Sequence, residues 1–187
     1  IEKIKSLEIK GICPSHGPVL RADPWGCVEK YRQWSSLPVP DDKKSLLVFY
    51  ASAYGNTAAL AEKIAEGARD AGARATVMDV AATELGLMID RVEAADGIAV
   101  GSATINADAV EPVWYLLSHL ATLNLKGKVG AAFGSYGWSG EAPKLIAERL
   151  KGLKFRVEED PFRVNLVPTG EDLAAAREYG RRIAESL

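Results

Sequence analysis

The chain has 187 residues, 48% of them hydrophobic and 26% charged, with a formal net charge of −2. That balance excludes the basic excess of a nucleic-acid binder and the low hydrophobicity of a disordered chain. No apolar run reaches the roughly 18–20 residues of a membrane span, and no secretory signal opens the sequence, so neither nucleic acid nor membrane is an expected partner.

The opening Ile1-Glu2-Lys3 lacks an initiator Met and reads as a fragment or processed product. Cys13 and Cys27 make neither a CxxC pair nor a disulfide framework, which points to a reducing, cytoplasmic setting. Asp23-Pro24-Trp25 reads as an N-cap followed by Pro at the first helical position, predicting a short helix to about Ser35. Leu37-Pro38-Val39-Pro40-Asp41-Asp42 reads as an extended linker, because Pro pushes the residue before it into β or polyproline geometry. The divisions expected are 1–22, a short helix and linker over 23–44, and a main domain over 45–187.

From Ser45 strands and helices alternate. Ser45–Tyr50 is a continuous apolar run, the mark of a strand buried on both faces. Asn56–Ala71 carries Leu60, Ile64 and Ala68 at helical spacing and stops at Gly72. Arg74–Val80 is a second strand, Glu84–Glu93 a weaker helix and Gly97–Gly101 a third strand. Val110–Leu123 is a helix with Pro112 in its first turn, and Lys128–Phe133 is a fourth strand. Ala142–Leu150 is a helix. Lys154–Val157 and Phe162–Val167 read as a split fifth strand, and Thr169–Leu187 closes the chain as a helix with a capping-box start at Thr169 and Asp172. Such β/α units imply an α/β fold, a parallel sheet with helices on both faces, whose ligands lie beyond the carboxyl ends of the strands.

Three loops follow at that edge. The first, Ala51-Ser52-Ala53-Tyr54-Gly55-Asn56-Thr57, joins a buried strand to a helix N-terminus, where free N–H groups and the helix dipole attract an anion. It lacks the GxxxxGK[ST] lysine of a triphosphate site and the GxGxxG of a dinucleotide site. Its neutral hydroxyls and amide suit a lone phosphate monoester, and they equally suit an ordinary helix cap. The second loop is Gly101-Ser102-Ala103-Thr104-Ile105-Asn106-Ala107-Asp108. The third is Gly134-Ser135-Tyr136-Gly137-Trp138-Ser139-Gly140. Trp138 sits among glycines where it is poorly placed to fill a core. It is well placed to stack on a planar ring, the alternatives being a surface aromatic or a protein contact.

These motifs carry a resemblance. Ser52-Ala53-Tyr54-Gly55-Asn56-Thr57 resembles the phosphate loop of flavodoxins, [ST]-x-[TYW]-G-[NS]-T. Gly101-Ser102-Ala103-Thr104-Ile105-Asn106 is similar to the second flavin loop of flavodiiron proteins, G-S-P-T-x-N, with Ala103 in place of its proline. Gly134–Gly140 resembles the third loop of that family. The resemblance implies a flavodoxin-like doubly wound, five-stranded parallel sheet in the order 2-1-3-4-5, binding flavin mononucleotide (FMN). It implies that Ser52, Ala53, Tyr54, Gly55, Asn56 and Thr57 hold the phosphate. It further implies that Ser102, Ala103, Thr104, Ile105 and Asn106 lie on one side of the ring, with Ser135, Tyr136, Gly137, Trp138 and Gly140 on the other and at its edge. No catalytic acid or base is expected.

Cys13-Pro14-Ser15-His16-Gly17-Pro18-Val19 resembles the end of the metallo-β-lactamase-like domain of the same family, which makes His16 a ligand of a di-iron centre in the intact protein. The remaining ligands are absent from this chain, so no metal is expected in it, and by residue pattern alone His16 is a loop histidine. By the same resemblance, a rubredoxin-type donor feeds FMN. The electrons pass to a di-iron site that reduces O2 or NO, within a homodimer that carries the upstream metallo-β-lactamase-like domain. His119, among Leu116, Leu117 and Leu120, reads as a helix-surface or partly packed residue.

Rival readings fare less well. A response-regulator receiver needs acidic residues where Ala51-Ser52 and Gly101-Ser102 stand. A serine hydrolase needs G-x-S-x-G at a strand–helix elbow, which Gly137-Trp138-Ser139-Gly140 does not match. A stand-alone flavodoxin or a flavin-dependent quinone reductase is the nearest alternative, and the Pro14–Pro18 segment counts against it. A purely structural or interaction domain is the last.

Overall fold

A computed structural model describes residues 2–35 and 42–187, and the linker expected over 37–42 falls outside the described residues except for Asp42. The chain divides into two compact units, Ile1–Asp42 and Lys43–Leu187.

In the first unit a 3-10 turn over Glu2–Ile4 precedes a loop closed by an antiparallel bridge between Ile12 and Leu20. Their two N–H···O bonds, 2.9 Å each, bracket the Pro14–Pro18 segment. Helix α1 runs Pro24–Ser35. It starts as the sequence predicts: the Asp23 carboxylate accepts the Gly26 N–H at 2.8 Å, satisfying one of the N–H groups that a helix start leaves orphaned.

The second unit is a sheet built from β1 (Ser45–Ala51), β2 (Arg74–Asp79), β3 (Gly97–Ile105), β4 (Asp108–Ala109), β5 (Val129–Tyr136), β6 (Arg156–Val157) and β7 (Phe162–Asn165). Its helices are α2 (Asn56–Asp70), α3 (Leu85–Ala94), α4 (Glu111–His119), α5 (Ala142–Gly152) and α6 (Gly170–Glu185). The main path is β2-β1-β3-β5-β6, all parallel, and β7 also pairs parallel with β5. β6 and β7 are the two halves of the split fifth strand, so the fold is flavodoxin-like with the expected 2-1-3-4-5 order.

Strand alternation sorts the core into two layers. Leu46 and Val48 of β1 face a cluster containing Leu60, Ile64, Tyr179 and Ile183, so α2 and α6 cover that face. Leu47, Phe49 and Ala51 face Met88, Val92, Val113, Leu116, Ile146 and Leu150, so α3, α4 and α5 cover the other. α6 begins with the capping box read from the sequence: the Thr169 hydroxyl accepts the Asp172 N–H while the Asp172 carboxylate accepts the Thr169 N–H.

Two expectations are corrected. α4 ends at His119 and tightens into a 3-10 turn over Leu120–Thr122, where the sequence predicts helix to Leu123. The Thr122 hydroxyl donates to the His119 carbonyl at 2.9 Å, taking up one acceptor of the fraying end. The second loop is not open coil. β3 runs on to Ile105 and turns back as β4, pairing Thr104 with Ala109 and Ile105 with Asp108. Asn106 and Ala107 make the turn at φ 52° and 61°, the pair of positive values a tight two-residue hairpin requires.

Candidate functional site

The carboxyl ends of β1, β3 and β5 meet at one rim because the strands are in register: Ala51 lies beside Ser102, and Ala103 beside Ser135. The three loops that leave this rim enclose a cleft of about 280 Å³ lined by Ala53, Tyr54, Asn56, Ala103, Thr104, Ile105, Ser135, Tyr136, Gly137 and Leu166. Nine of these ten are among the sixteen residues expected from the sequence, whereas Ser52, Gly55, Thr57, Ser102, Asn106, Trp138 and Gly140 do not line it. None of the lining residues is a carboxylate, a lysine or an arginine.

Below the first loop, α2 begins without a side-chain cap, and its N-cap residue Gly55 sits at φ 86°, a left-handed conformation that glycine adopts without strain. The first-turn N–H groups therefore lack a side-chain acceptor and face the rim with the positive end of the helix dipole. Close by, the Ser52 hydroxyl is buried and has no hydrogen-bond partner. A buried, unsatisfied hydroxyl costs about 1–3 kcal/mol unless something arrives to bond it. Thr57 does not face open space: its hydroxyl bonds that of Ser135 at 2.9 Å, tying the first loop to the third.

Ser102 is turned away from the cleft. Its hydroxyl is fully buried, donates to the Ala103 carbonyl at 2.7 Å and accepts the Val110 N–H at 3.0 Å, bracing the β3–β4 hairpin. Thr104 lines the cleft and accepts the Ala142 N–H at the start of α5, at 3.3 Å. Asn106 stands exposed at the hairpin tip.

Trp138 is 96% exposed and Tyr54 92% exposed, each at the rim with its ring in solvent. Both rings are thus free to stack on a planar group at the rim. Gly140, at φ 72°, folds the third loop back so closely that a Cβ there would fall 2.7 Å from the Tyr136 ring. Asp108, the one acid of the second loop, is occupied: it accepts the Ala109 N–H at 2.7 Å and the Trp114 indole N–H at 3.1 Å.

The residues missed by sequence reasoning are those of the fourth segment. Leu166 lines the cleft from the end of β7, and Asn165 bonds the third loop. No glycine or hydroxyl pattern marks them, because their place depends on β7 pairing with β5. Elsewhere, a wider groove along α2 and α6, about 640 Å³, contains Asp70, Arg177, Glu178 and Arg181. These four charges pair with one another, Arg177 with Asp70 at 2.6 Å and Arg181 with Glu178 at 3.4 Å, and Lys63 in the same groove pairs with Glu66 at 2.7 Å.

In the first unit His16 is exposed and lies with Pro14, Pro18, Cys27, Tyr31 and Trp34 around an apolar cleft. Among the described residues no group of three or more His, Cys, Asp or Glu side chains is arranged to hold a metal. No helix among them is long and apolar enough to cross a membrane.

Comparison with known proteins gives a consistent picture. The flavodoxin family model matches residues 48–180. A type A flavoprotein of Rhodobacter capsulatus is 43% identical over the whole chain, which spans 44% of that protein. Among solved structures, rubredoxin oxygen:oxidoreductase from Desulfovibrio gigas superposes with a TM-score of 0.75 at 32% identity, over 95% of this chain and 44% of that one. A flavodoxin from the domain Archaea superposes with a TM-score of 0.70 at 38% identity, over 75% of this chain and 96% of that one.

Proposed function

The chain belongs to the flavodoxin family, and from that premise we propose that it binds FMN in the cleft at the rim of β1, β3 and β5 and carries electrons as one module of a larger flavodiiron oxidoreductase. The observation that carries this reading is the orphaned Ser52 hydroxyl beside the uncapped start of α2. A phosphate monoester satisfies both at once, accepting from the hydroxyl and from the first-turn N–H groups. The absence of Lys and Arg from the lining fits one phosphate rather than a polyphosphate.

FMN, when bound, supplies the redox chemistry, accepting and releasing electrons at its ring. The protein's part is to bind, orient and shield. Ser52, Asn56 and the backbone from Ala53 to Thr57 hold the phosphate, with Tyr54 on that loop. Ala103, Thr104 and Ile105 form one wall for the ring, with Asn106 at the tip. Trp138 stacks on the opposite face, an arrangement worth about 0.5–1.5 kcal/mol beyond its buried area. Ser135, Tyr136 and Gly137 meet the ring edge, and Gly140 sets the return of that loop. Ser102 and Thr57 act through the loops they fasten.

In the intact protein we assign residues 1–22 to the end of an upstream metallo-β-lactamase-like domain, with His16 as one ligand of its di-iron centre. By the same reading a rubredoxin-type donor would supply the electrons and the di-iron centre would supply the chemistry of O2 or NO reduction, in a cytoplasmic homodimer. The support is the whole-chain match to a type A flavoprotein and the likeness to rubredoxin oxygen:oxidoreductase. The stand-alone flavodoxin remains the second reading, favoured by the archaeal flavodoxin that the chain covers almost completely.

The test is reconstitution. The purified chain, mixed with FMN and desalted, should retain a yellow chromophore and quench flavin fluorescence with one site per chain. A chain that stays colourless and leaves flavin fluorescence untouched overturns the reading.

A further inference from the structure

β7 meets the third loop through more than a strand ladder. The Asn165 side-chain amide donates to the Tyr136 carbonyl at 3.3 Å and to the Gly137 carbonyl at 3.2 Å. The Leu166 N–H donates to the same Tyr136 carbonyl at 2.7 Å. Two successive carbonyls are thus held toward β7. A peptide unit is planar and trans, so its N–H points opposite to its C=O. The N–H groups of Gly137 and Trp138 are therefore turned away from β7, toward the β3 side of β5, where Ala103, Thr104 and Ile105 line the cleft. Neither has an acceptor among the described residues.

Glycine at 137 makes this clamp necessary. Gly137 has no side chain to restrict its own dihedrals, and nothing lies within 4 Å of where a Cβ would be. Were the 137–138 peptide to flip, it would present a carbonyl oxygen to the cleft in place of an N–H. Leu166 extends the same device. It holds φ 59°, uncommon for a non-glycine residue, and from there its side chain lines the cleft.

We infer that Asn165 is a positioning residue for the flavin site: it holds the N–H groups of Gly137 and Trp138 as a pair of donors aimed at the acceptor-bearing edge of the ring, while Leu166 closes that edge to solvent. The inference rests on the FMN reading and adds to it residues from a fourth segment. The clamp acts on the ring edge, whereas Ser52 and the start of α2 act on the phosphate. Its effect should therefore be the same for a flavin with a phosphate and for one without.

The experiment compares wild type with Asn165→Leu, which keeps the size of the side chain and removes its N–H donors, and with Asn165→Gln, which keeps the donors. Dissociation constants for FMN and riboflavin come from fluorescence quenching, and thermal melting of the ligand-free protein reports on the fold. Asn165→Leu should weaken FMN and riboflavin by the same factor, on the order of tenfold, with ligand-free melting unchanged, and Asn165→Gln should recover part of the loss. Riboflavin should also slow amide hydrogen exchange at Gly137 and Trp138 in the wild type, a readout that stands if Asn165→Leu fails to fold. Equal binding by wild type and Asn165→Leu, a loss confined to FMN, or no added protection at those two amides overturns the inference and leaves the FMN reading intact. Failure of the wild type to bind either flavin overturns both.

Discussion

Thr57 and Ser135, 78 positions apart in sequence, share one buried hydrogen bond of 2.9 Å between their hydroxyl oxygens. It joins the first turn of α2 to the end of β5 directly beneath the cleft, so the first and third loops cannot separate without breaking it. Either substitution alone leaves the partner hydroxyl buried and unpaired, at a cost of about 1–3 kcal/mol. Thr57→Val and Ser135→Ala should each lower the urea midpoint. The double variant should cost clearly less than the sum, because the second change removes the orphan left by the first. Additive losses in urea denaturation would show that the bond does not couple the two loops.

Ser52→Ala separates stability from binding. The hydroxyl has no partner in the ligand-free protein, so its removal relieves an unsatisfied group and the melting temperature should hold or rise. Affinity for FMN should fall by about 1.5–3 kcal/mol, at least tenfold, since the lost bond is to a charged acceptor. Riboflavin binding should not change. A matched loss for both flavins would move Ser52 away from the phosphate.

Much of this site is legible in the sequence. The rim is, because continuous apolar strands such as Leu46–Phe49 force a sheet covered on both faces, and the hydroxyl- and glycine-rich turns then fall together at its carboxyl edge. The directions of individual side chains are less so. Ser102 sits in a motif that resembles a flavin loop, yet its hydroxyl braces Val110 and Ala103, since β3 continues and folds into a hairpin. Asn165 and Leu166 escape notice for a different reason: their role comes from a strand pairing across 29 residues, and nothing local in Asn-Leu-Val-Pro encodes it.

The α2–α6 contact should tolerate no added side chain at two glycines. A Cβ at Gly67 would stand 1.7 Å from the Arg177 carbonyl oxygen, and one at Gly180 would stand 1.9 Å from that of Ile64. Both obstacles are helix backbone, which cannot step aside as a side chain does. Gly67→Ala and Gly180→Ala should therefore destabilise by about 1–3 kcal/mol, despite the helix-propensity gain of up to about 1 kcal/mol that alanine brings. Unchanged urea midpoints would mean that the two helices do not touch at these glycines.

Acid should weaken the fold through Asp96. Burial pushes this carboxyl up, but the Ser45 N–H, the Lys44 ammonium and the Ser45 hydroxyl together outweigh it and hold the group below its ordinary range. A carboxyl depressed in the folded state adds stability above its unfolded value, about pH 4, and that contribution is lost as pH falls through the folded value. Asp70, held down by Arg177, and Asp172, held down by Thr169, act in the same direction. Asp96→Asn should therefore flatten the acid limb of a stability–pH profile without abolishing it. A limb of unchanged slope would place the acid sensitivity elsewhere.

Trp138 offers the cleanest separation of ring from scaffold. At 96% exposure it contributes little to the ligand-free fold, so Trp138→Ala should leave melting of that form unchanged. FMN and riboflavin should both bind several-fold to tenfold more weakly, from about 0.5–1.5 kcal/mol of stacking together with lost apolar burial. Because no Lys or Arg lines the cleft, the remaining affinity should vary little between about 0.05 and 0.5 M salt, a range over which exposed charge pairs are progressively screened. A steep salt dependence would reveal a cation reaching the phosphate from outside the cleft. An unchanged affinity in Trp138→Ala would remove the indole from the ring face and leave that side of the flavin to be covered by another part of the protein.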